Sequence, residues 1–179
     1  WREANKRIRD LWYSMDNAAV QVITQGGSVG INGLLLAREY DYDNGTDCLT
    51  ILLPSGRKLY YINPSIGQNE WGRPSISYMG MDQKTKRWKR IETYGGKLVE
   101  NCVQAIARDC LAASIDRLEA AKLPVVFHVH DEVVIDVAPF ADEDTMLSTV
   151  CSIMGEPVPW APDLPLKAAG WVGYYFTKD

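Results

Sequence analysis

The stretch from Lys97 to Lys122 contains no proline and no glycine, is rich in alanine, and repeats apolar residues at three- and four-residue spacing. Such a segment has one good solution, a long helix. Leu98, Cys102, Ile106, Cys110, Ala113 and Leu118 form its core-facing stripe, flanked by Val99, Val103 and Leu111. Pro124 stops it. Two short β-branched runs follow at once, Val125–Val129 and Val133–Val137, separated only by His130-Asp131-Glu132. A long helix feeding a tight β-turn-β unit is the frame on which the remaining segments must be placed.

Upstream, Trp1, Ala4, Ile8, Leu11, Trp12, Met15, Ala19 and Val22 recur at helical spacing, and Gly26-Gly27 is a stop signal. A helix is therefore expected from Trp1 to about Ile23; no N-cap precedes it and the chain opens on Trp rather than Met, which reads as a cut through a longer protein. From about residue 30 to 92 the pattern turns to β. Leu34-Leu35-Leu36 reads as a buried strand and Asp43-Asn44-Gly45 as a turn. Cys48–Leu53 and Arg57–Ile62 flank Pro54-Ser55-Gly56 as a hairpin, and Ser75–Met81 and Trp88–Thr93 flank a basic turn as another. After the long helix and the tight hairpin, Asp142 caps a short helix ending near Met154, and a last strand is expected around Trp171–Phe176. Helices and hairpins in this order predict an α+β fold, with long helices on a small antiparallel sheet and a hairpin-rich insert.

Several functions are excluded by what is missing. No apolar run reaches the length of a membrane span, and no signal pattern opens the chain, so a cytoplasmic protein is expected. Cys48, Cys102, Cys110 and Cys151 form no CxxC pair, and the two histidines, His128 and His130, share one strand, so no zinc set assembles. Gly26-Gly27-Ser28-Val29-Gly30 lacks the lysine of a phosphate-binding loop. Asp41, Asp43 and Asp47 are explained by turn chemistry and fail the calcium-loop spacing at Gly45 and Leu52. The net charge of −4 argues against a freestanding nucleic-acid-binding domain, but Lys84, Lys86, Arg87, Lys89 and Arg90 crowd one segment. With Arg57 and Lys58, they form either a phosphate-facing patch or a solvated turn.

The sharpest chemical signal is the charged triplet between two apolar strands. Tight hairpin turns favour glycine and asparagine because they require positive φ, and His130-Asp131-Glu132 supplies neither. A carboxylate at such a tip can be held accurately against a metal ion. A polar turn satisfied by solvent explains the triplet equally well on these residues alone.

Val129-His130-Asp131-Glu132-Val133 resembles motif C of family A DNA polymerases, where a palm hairpin presents His-Asp-Glu. The run from Thr93-Tyr94-Gly95-Gly96-Lys97 to Ala107-Arg108-Asp109 is similar to the segment leading into the palm helix of phage-type members. Trp1-Arg2-Glu3-Ala4-Asn5 through Trp12 resembles the helix after the nucleotide-binding helix of the fingers. Pro165-Leu166-Lys167 through Gly170-Trp171-Val172-Gly173-Tyr174-Tyr175 resembles that group's C-terminus.

The resemblance implies a C-terminal polymerase portion: residues 1–29 continuing from the fingers, a β-rich insert at 30–92, and palm at 93–179. It implies Asp131 as a catalytic metal ligand, Glu132 as a lesser ligand beside it, and His130 at the primer terminus. Lys97, Glu100, Asn101 and Gln104 would face the primer–template duplex, with Glu100 standing where better-known members carry glutamine. Two Mg²⁺ ions, a dNTP and primer–template DNA are the implied cofactor and partners. Motifs A and B would come from the remainder of the polymerase, in cis or as a partner chain, so the isolated chain is expected to be inactive. The runner-up is a non-catalytic DNA-binding or assembly piece of a split polymerase.

Overall fold

The twenty residues of α1, Lys6–Gln25, place an apolar face against antiparallel strands that follow one another without a crossover. The structure is a computed structural model that describes residues 2–68, 72, 74–138 and 140–177. Its contacts divide the chain into two units, Trp1–Gln104 and Ala105–Asp179. The architecture is α+β, with three helices, a six-stranded antiparallel sheet and a two-stranded one.

In the first unit, Met15, Ala18, Ala19, Val22 and Ile23 of α1 are buried. The expected stripe is thus buried only in its second half; Ile8 stays 42 % exposed, and Trp1 lies outside the described residues. Arg2–Asn5 form a turn, so the helix begins later than its periodicity suggests. Gly26 and Gly27 end it, with φ of 74° and 78° that a side chain would oppose.

The sheet runs β1 (Ser28–Ile31), β2 (Leu34–Asp41), β3 (Thr46–Leu52), β4 (Lys58–Gln68), β5 (Pro74–Met81) and β6 (Trp88–Thr93) in sequence order. What reads in sequence as separate hairpins is therefore one continuous meander. It also begins slightly earlier than the expected start near residue 30: Ser28–Ile31 pairs with β2 through the turn Asn32-Gly33. Both turn residues have positive φ, 46° and 79°, the conformation that Asn-Gly favours between strands.

Leu34, Leu36, Leu49, Ile51, Tyr61 and Ile76 are buried in the sheet, as are Leu98, Val99 and Cys102 at the start of α2, Gly95–Ala120. Arg38 crosses from β2 to the carbonyl of Ile23 and pairs with Asp47 at 2.7 Å, tying the end of α1 to β2 and β3.

In the second unit, Cys110, Leu111, Ser114 and Leu118 of α2 are buried, whereas Val103, in the first, stays 60 % exposed. β7 (Val125–Val129) and β8 (Glu132–Ile135) form the small hairpin, and Asp142 caps α3 (Glu143–Met154) by accepting from the Thr145 N–H at 3.0 Å. Arg117 donates to the carbonyls of Glu156 and Pro157, both at 2.8 Å, next to the fully buried Val158. The expected last strand does not form among the described residues: Trp171–Phe176 carries no ladder. Those aromatic residues are exposed, with Tyr174 and Tyr175 largely so, and no partner strand satisfies their backbone.

Candidate active-site hairpin and basic sheet edge

The ladder of the small hairpin fixes its tip. Phe127 faces Val134, His128 faces Val133 and Val129 faces Glu132, leaving His130 and Asp131 as a two-residue turn. Glu132 is thus the first residue of β8 rather than part of the turn. His130 adopts φ of 52°, so the requirement for positive φ is met by a histidine. His130 also leaves the strand alternation, and no common face with His128 follows from spacing.

Asp131, Glu132, His128 and His130 are all exposed. The hairpin is steadied from two directions: Arg108 of α2 lies 3.4 Å from His128 Nε2, and the ring of Phe127 stacks edge-on against Phe176 with centroids 5.3 Å apart.

Two adjacent carboxylates offer hard oxygen donors suited to Mg²⁺, which is commonly held by one or two carboxylates together with substrate phosphates. They fit as one contribution to a metal site, and only as one. Among the described residues no three His, Cys, Asp or Glu side chains gather as a metal-binding group. Asp41, in the aspartate cluster of the first unit, is committed to its own turn. It accepts from the N–H groups of Asp43 and Asn44 at 3.0 and 3.2 Å and from the Asn44 amide at 2.7 Å, and these bonds, the amide first, hold its pKa below the usual carboxylate range.

The remaining candidate residues belong to the first unit. At the start of α2, Lys97 pairs with Glu100 at 2.9 Å, and Gln104 donates to the other Glu100 oxygen at 3.2 Å. These three make one exposed polar row, and the Glu100 pairing raises the Lys97 pKa. Asn101 is drawn elsewhere: its amide donates to the buried Tyr61 hydroxyl at 3.0 Å. Burial pushes the Tyr61 pKa up to about 12, although the Asn101 bond opposes the rise.

The helix start itself rests on α1. The Gly95 N–H donates to Asp16 Oδ1 at 2.7 Å, and a Cβ at Gly95 would lie 1.9 Å from the Trp12 carbonyl oxygen. No local sequence signal marks this cap, because donor and acceptor are far apart in the chain.

The basic segment divides in two. Asp82 organises the β5–β6 turn by accepting from the N–H groups of Lys84 and Thr85 at 3.1 and 2.6 Å, and it pairs with Lys89 at 2.9 Å. The Thr85 N–H bond, then Lys89, holds the Asp82 pKa far below the carboxylate range. Arg90 reaches across the sheet to the Asn63 carbonyl at 3.1 Å and to Ser65 and Ser77 at 2.8 and 3.3 Å, pinning the bulge in β4. Lys89 and Arg90 therefore have internal work. Lys84, Lys86 and Arg87 are exposed and hold no ion pair among the described residues. Arg57 is exposed at the β3–β4 turn.

Set against known proteins, the whole chain is 44 % identical over 181 residues to a protein named DNA polymerase from Bacillus phage SP02. The chain spans 26 % of that relative's length. No protein-family profile and no solved structure matches. No helix among the described residues is long and apolar enough to cross a membrane.

Proposed function

We propose that this chain is the motif C portion of a family A DNA polymerase, which adds deoxynucleotides to a primer 3′-hydroxyl on a DNA template. The observation that carries the reading is the tip of the β7–β8 hairpin. Two exposed carboxylates stand at a two-residue turn whose first residue, a histidine, holds a positive φ. Identity along the entire chain to a phage protein named DNA polymerase supports it.

In this reading Asp131 is the metal ligand and Glu132 an auxiliary one. Bound Mg²⁺, as two ions in the complete enzyme, would supply charge neutralisation on the phosphates and on the attacking and leaving oxygens. The chain's own contribution is positional. The ladder from Val125 to Ile135 and the Arg108 contact to His128 fix where the carboxylates stand, so little reorganisation is needed as charge develops. His130, exposed beside them, would donate to a minor-groove acceptor of the terminal base pair, a position every base pair offers. Lys97 and Gln104 would offer donors to primer–template DNA, while Glu100 orients both and Asn101 supports Tyr61. Motifs A and B, with the second metal-binding aspartate, lie in the rest of the polymerase.

The test is Asp131→Ala in the full-length protein, read by primer extension with Mg²⁺. Loss of extension by roughly a thousand-fold is expected, because a fixed charge partner of the transferring phosphates is removed. Circular dichroism and primer–template affinity should stay near wild type, since Asp131 is exposed. Extension at the wild-type rate would sink the assignment.

A further inference from the structure

The six-stranded sheet is polarised along its strands. In an antiparallel meander alternate turns fall at the same end, so the β1–β2, β3–β4 and β5–β6 turns share one edge. That edge carries Arg57, Lys58, Lys84, Lys86 and Arg87, with Asp82 neutralised by Lys89; the opposite edge carries Asp41, Asp43 and Asp47 of the β2–β3 turn. A net charge of −4 conceals this separation.

The basic edge also carries exposed rings on one sheet face. Met81 pairs with Trp88. Ile62 pairs with Met79, so Tyr60, two residues before Ile62, comes level with Met81, two residues after Met79. Side chains two apart on a strand share a face. Tyr60, Met81 and Trp88 therefore form a row across β4, β5 and β6, exposed by 60 %, 50 % and 54 %. With strands about 4.8 Å apart, the two rings stand about 10 Å from each other with a methionine between them. Lys58 lies on the same face, paired with Glu39 at 2.7 Å. The unpaired Lys84, Lys86 and Arg87 rim the row at the turn.

We propose that this row is a stacking platform for single-stranded DNA: bases lie on Tyr60 and Trp88, and the phosphates run along the Lys84–Arg87 turn. Sequence-tolerant binding of single strands needs this combination of aromatic faces and a cationic track. A duplex buries its base faces and has no use for exposed rings, so the rings favour an unpaired strand. That the single strand is the unpaired template rests on the polymerase reading; the binding itself does not.

The experiment is fluorescence anisotropy of the full chain with three labelled probes of equal length: oligo-dT, an abasic oligonucleotide and a duplex. Oligo-dT should bind at least several-fold more tightly than the abasic strand. Tyr60→Ala with Trp88→Ala should weaken oligo-dT by about tenfold or more, leaving the abasic strand unchanged. Tyr60→Phe with Trp88→Tyr keeps the rings and should retain binding, and the exposure of both residues leaves the fold intact in each variant. Lys84→Gln, Lys86→Gln and Arg87→Gln together should weaken all three probes and lower the salt slope for single strands by about two.

Equal affinity for oligo-dT and the abasic strand, or no effect of removing both rings, would overturn the platform. Competition by polyglutamate as strong as by oligo-dT would do the same, marking a surface that reads charge alone. No nucleotide is incorporated in this assay, so its outcome is separate from that of Asp131→Ala.

Discussion

Gly95→Ala sets helix propensity against packing, and the two give opposite signs. Gly95 is the first residue of α2, where alanine is the better helix former by about 1 kcal/mol in a helix interior and by less in a first turn. The structure reverses this gain. A Cβ at Gly95 would meet the Trp12 carbonyl oxygen at 1.9 Å and the Asp16 Cβ and backbone nitrogen at 2.8 Å. Real Cβ contacts essentially never fall below 3.0 Å, so α1 and the start of α2 must separate by about 1 Å. The contacted atoms are mostly backbone and cannot rotate away.

That separation also breaks the bond from the Gly95 N–H to Asp16 Oδ1 at 2.7 Å. A hydrogen bond to a carboxylate contributes about 1.5–3 kcal/mol, and overpacking costs about 1–3 kcal/mol. After the propensity gain, a net loss of about 2–4 kcal/mol is expected, or roughly 5–15 °C in Tm for a chain of this size. Urea and thermal unfolding by circular dichroism measure it.

Two variants isolate the cause. Gly96→Ala would crowd the Tyr94 ring at 2.9 Å and meet Trp12 Cδ2 at an ordinary 3.5 Å; Tyr94 is 65 % exposed and can swing aside, so it should be nearly neutral. Asp16→Ala should cost much less in the Gly95→Ala background than alone, because the bond is already lost. A Gly95→Ala protein as stable as wild type would refute the close docking of α2 on α1.

Two further outcomes follow from the site residues. Burial pushes Tyr61 up to about 12 from an ordinary 10.0 and Cys102 up to about 11 from 9.0, so the folded state holds both protons more tightly than the unfolded one. Their contribution is complete below about pH 9 and declines as pH rises towards 12. Tyr61 alone should account for about 1.4 kcal/mol of lost stability by pH 11. Urea midpoints from pH 8 to 11 should fall less steeply in Tyr61→Phe, and equal slopes would contradict the assignment. At the hairpin tip, His130→Gly should leave stability unchanged or raise it by up to about 1 kcal/mol, and His130→Val should lower it by about 1–2 kcal/mol, because φ of 52° suits glycine and opposes a β-branched residue. If His130 positions the primer end, His130→Gly should slow extension even so; stability measured beside extension rate reads both effects.

The sequence shows the elements whose causes are local. Asp142 caps α3, Pro54-Ser55-Gly56 turns β3 into β4, and the alanine-rich run gives a long helix, which starts two residues earlier than expected at Gly95 and ends at Ala120, with Lys122 at φ of 64° before Pro124. Misjudged elements depend on distant partners. Trp171–Phe176 has strand-like residues but no neighbouring strand to pair with. β1 was hidden because Ser28–Ile31 is too short and too glycine-rich to stand out, although Asn32-Gly33 behind it was a readable turn signal.

Site residues divide in the same way. Exposure of Asp131 and Glu132 at a hairpin follows from neighbouring residues. The engagement of Asn101 by Tyr61, of Arg90 by the β4 bulge and of Gly95 by Asp16 spans 40, 27 and 79 residues or nearly so, and only the fold brings these groups together.

The hairpin tip is where local preference and structure disagree, and the disagreement has a direction. A two-residue turn selected for stability alone would carry glycine or asparagine where φ is positive, as the β1–β2 turn of this chain does. At the β7–β8 turn the same positive φ is assigned to His130, with a carboxylate after it and another opening β8. Asp131 and Glu132 are adjacent, exposed and of like charge, a charge that a bound cation would offset. Under the proposed function, Mg²⁺ would take six oxygens in a nearly octahedral arrangement, more than Asp131 and Glu132 would supply, so further ligands would come from water, substrate phosphates and other carboxylates. In that proposal the tip is one wall of a larger site, in which the ladder's rigidity would matter more than the strength of any single bond it forms.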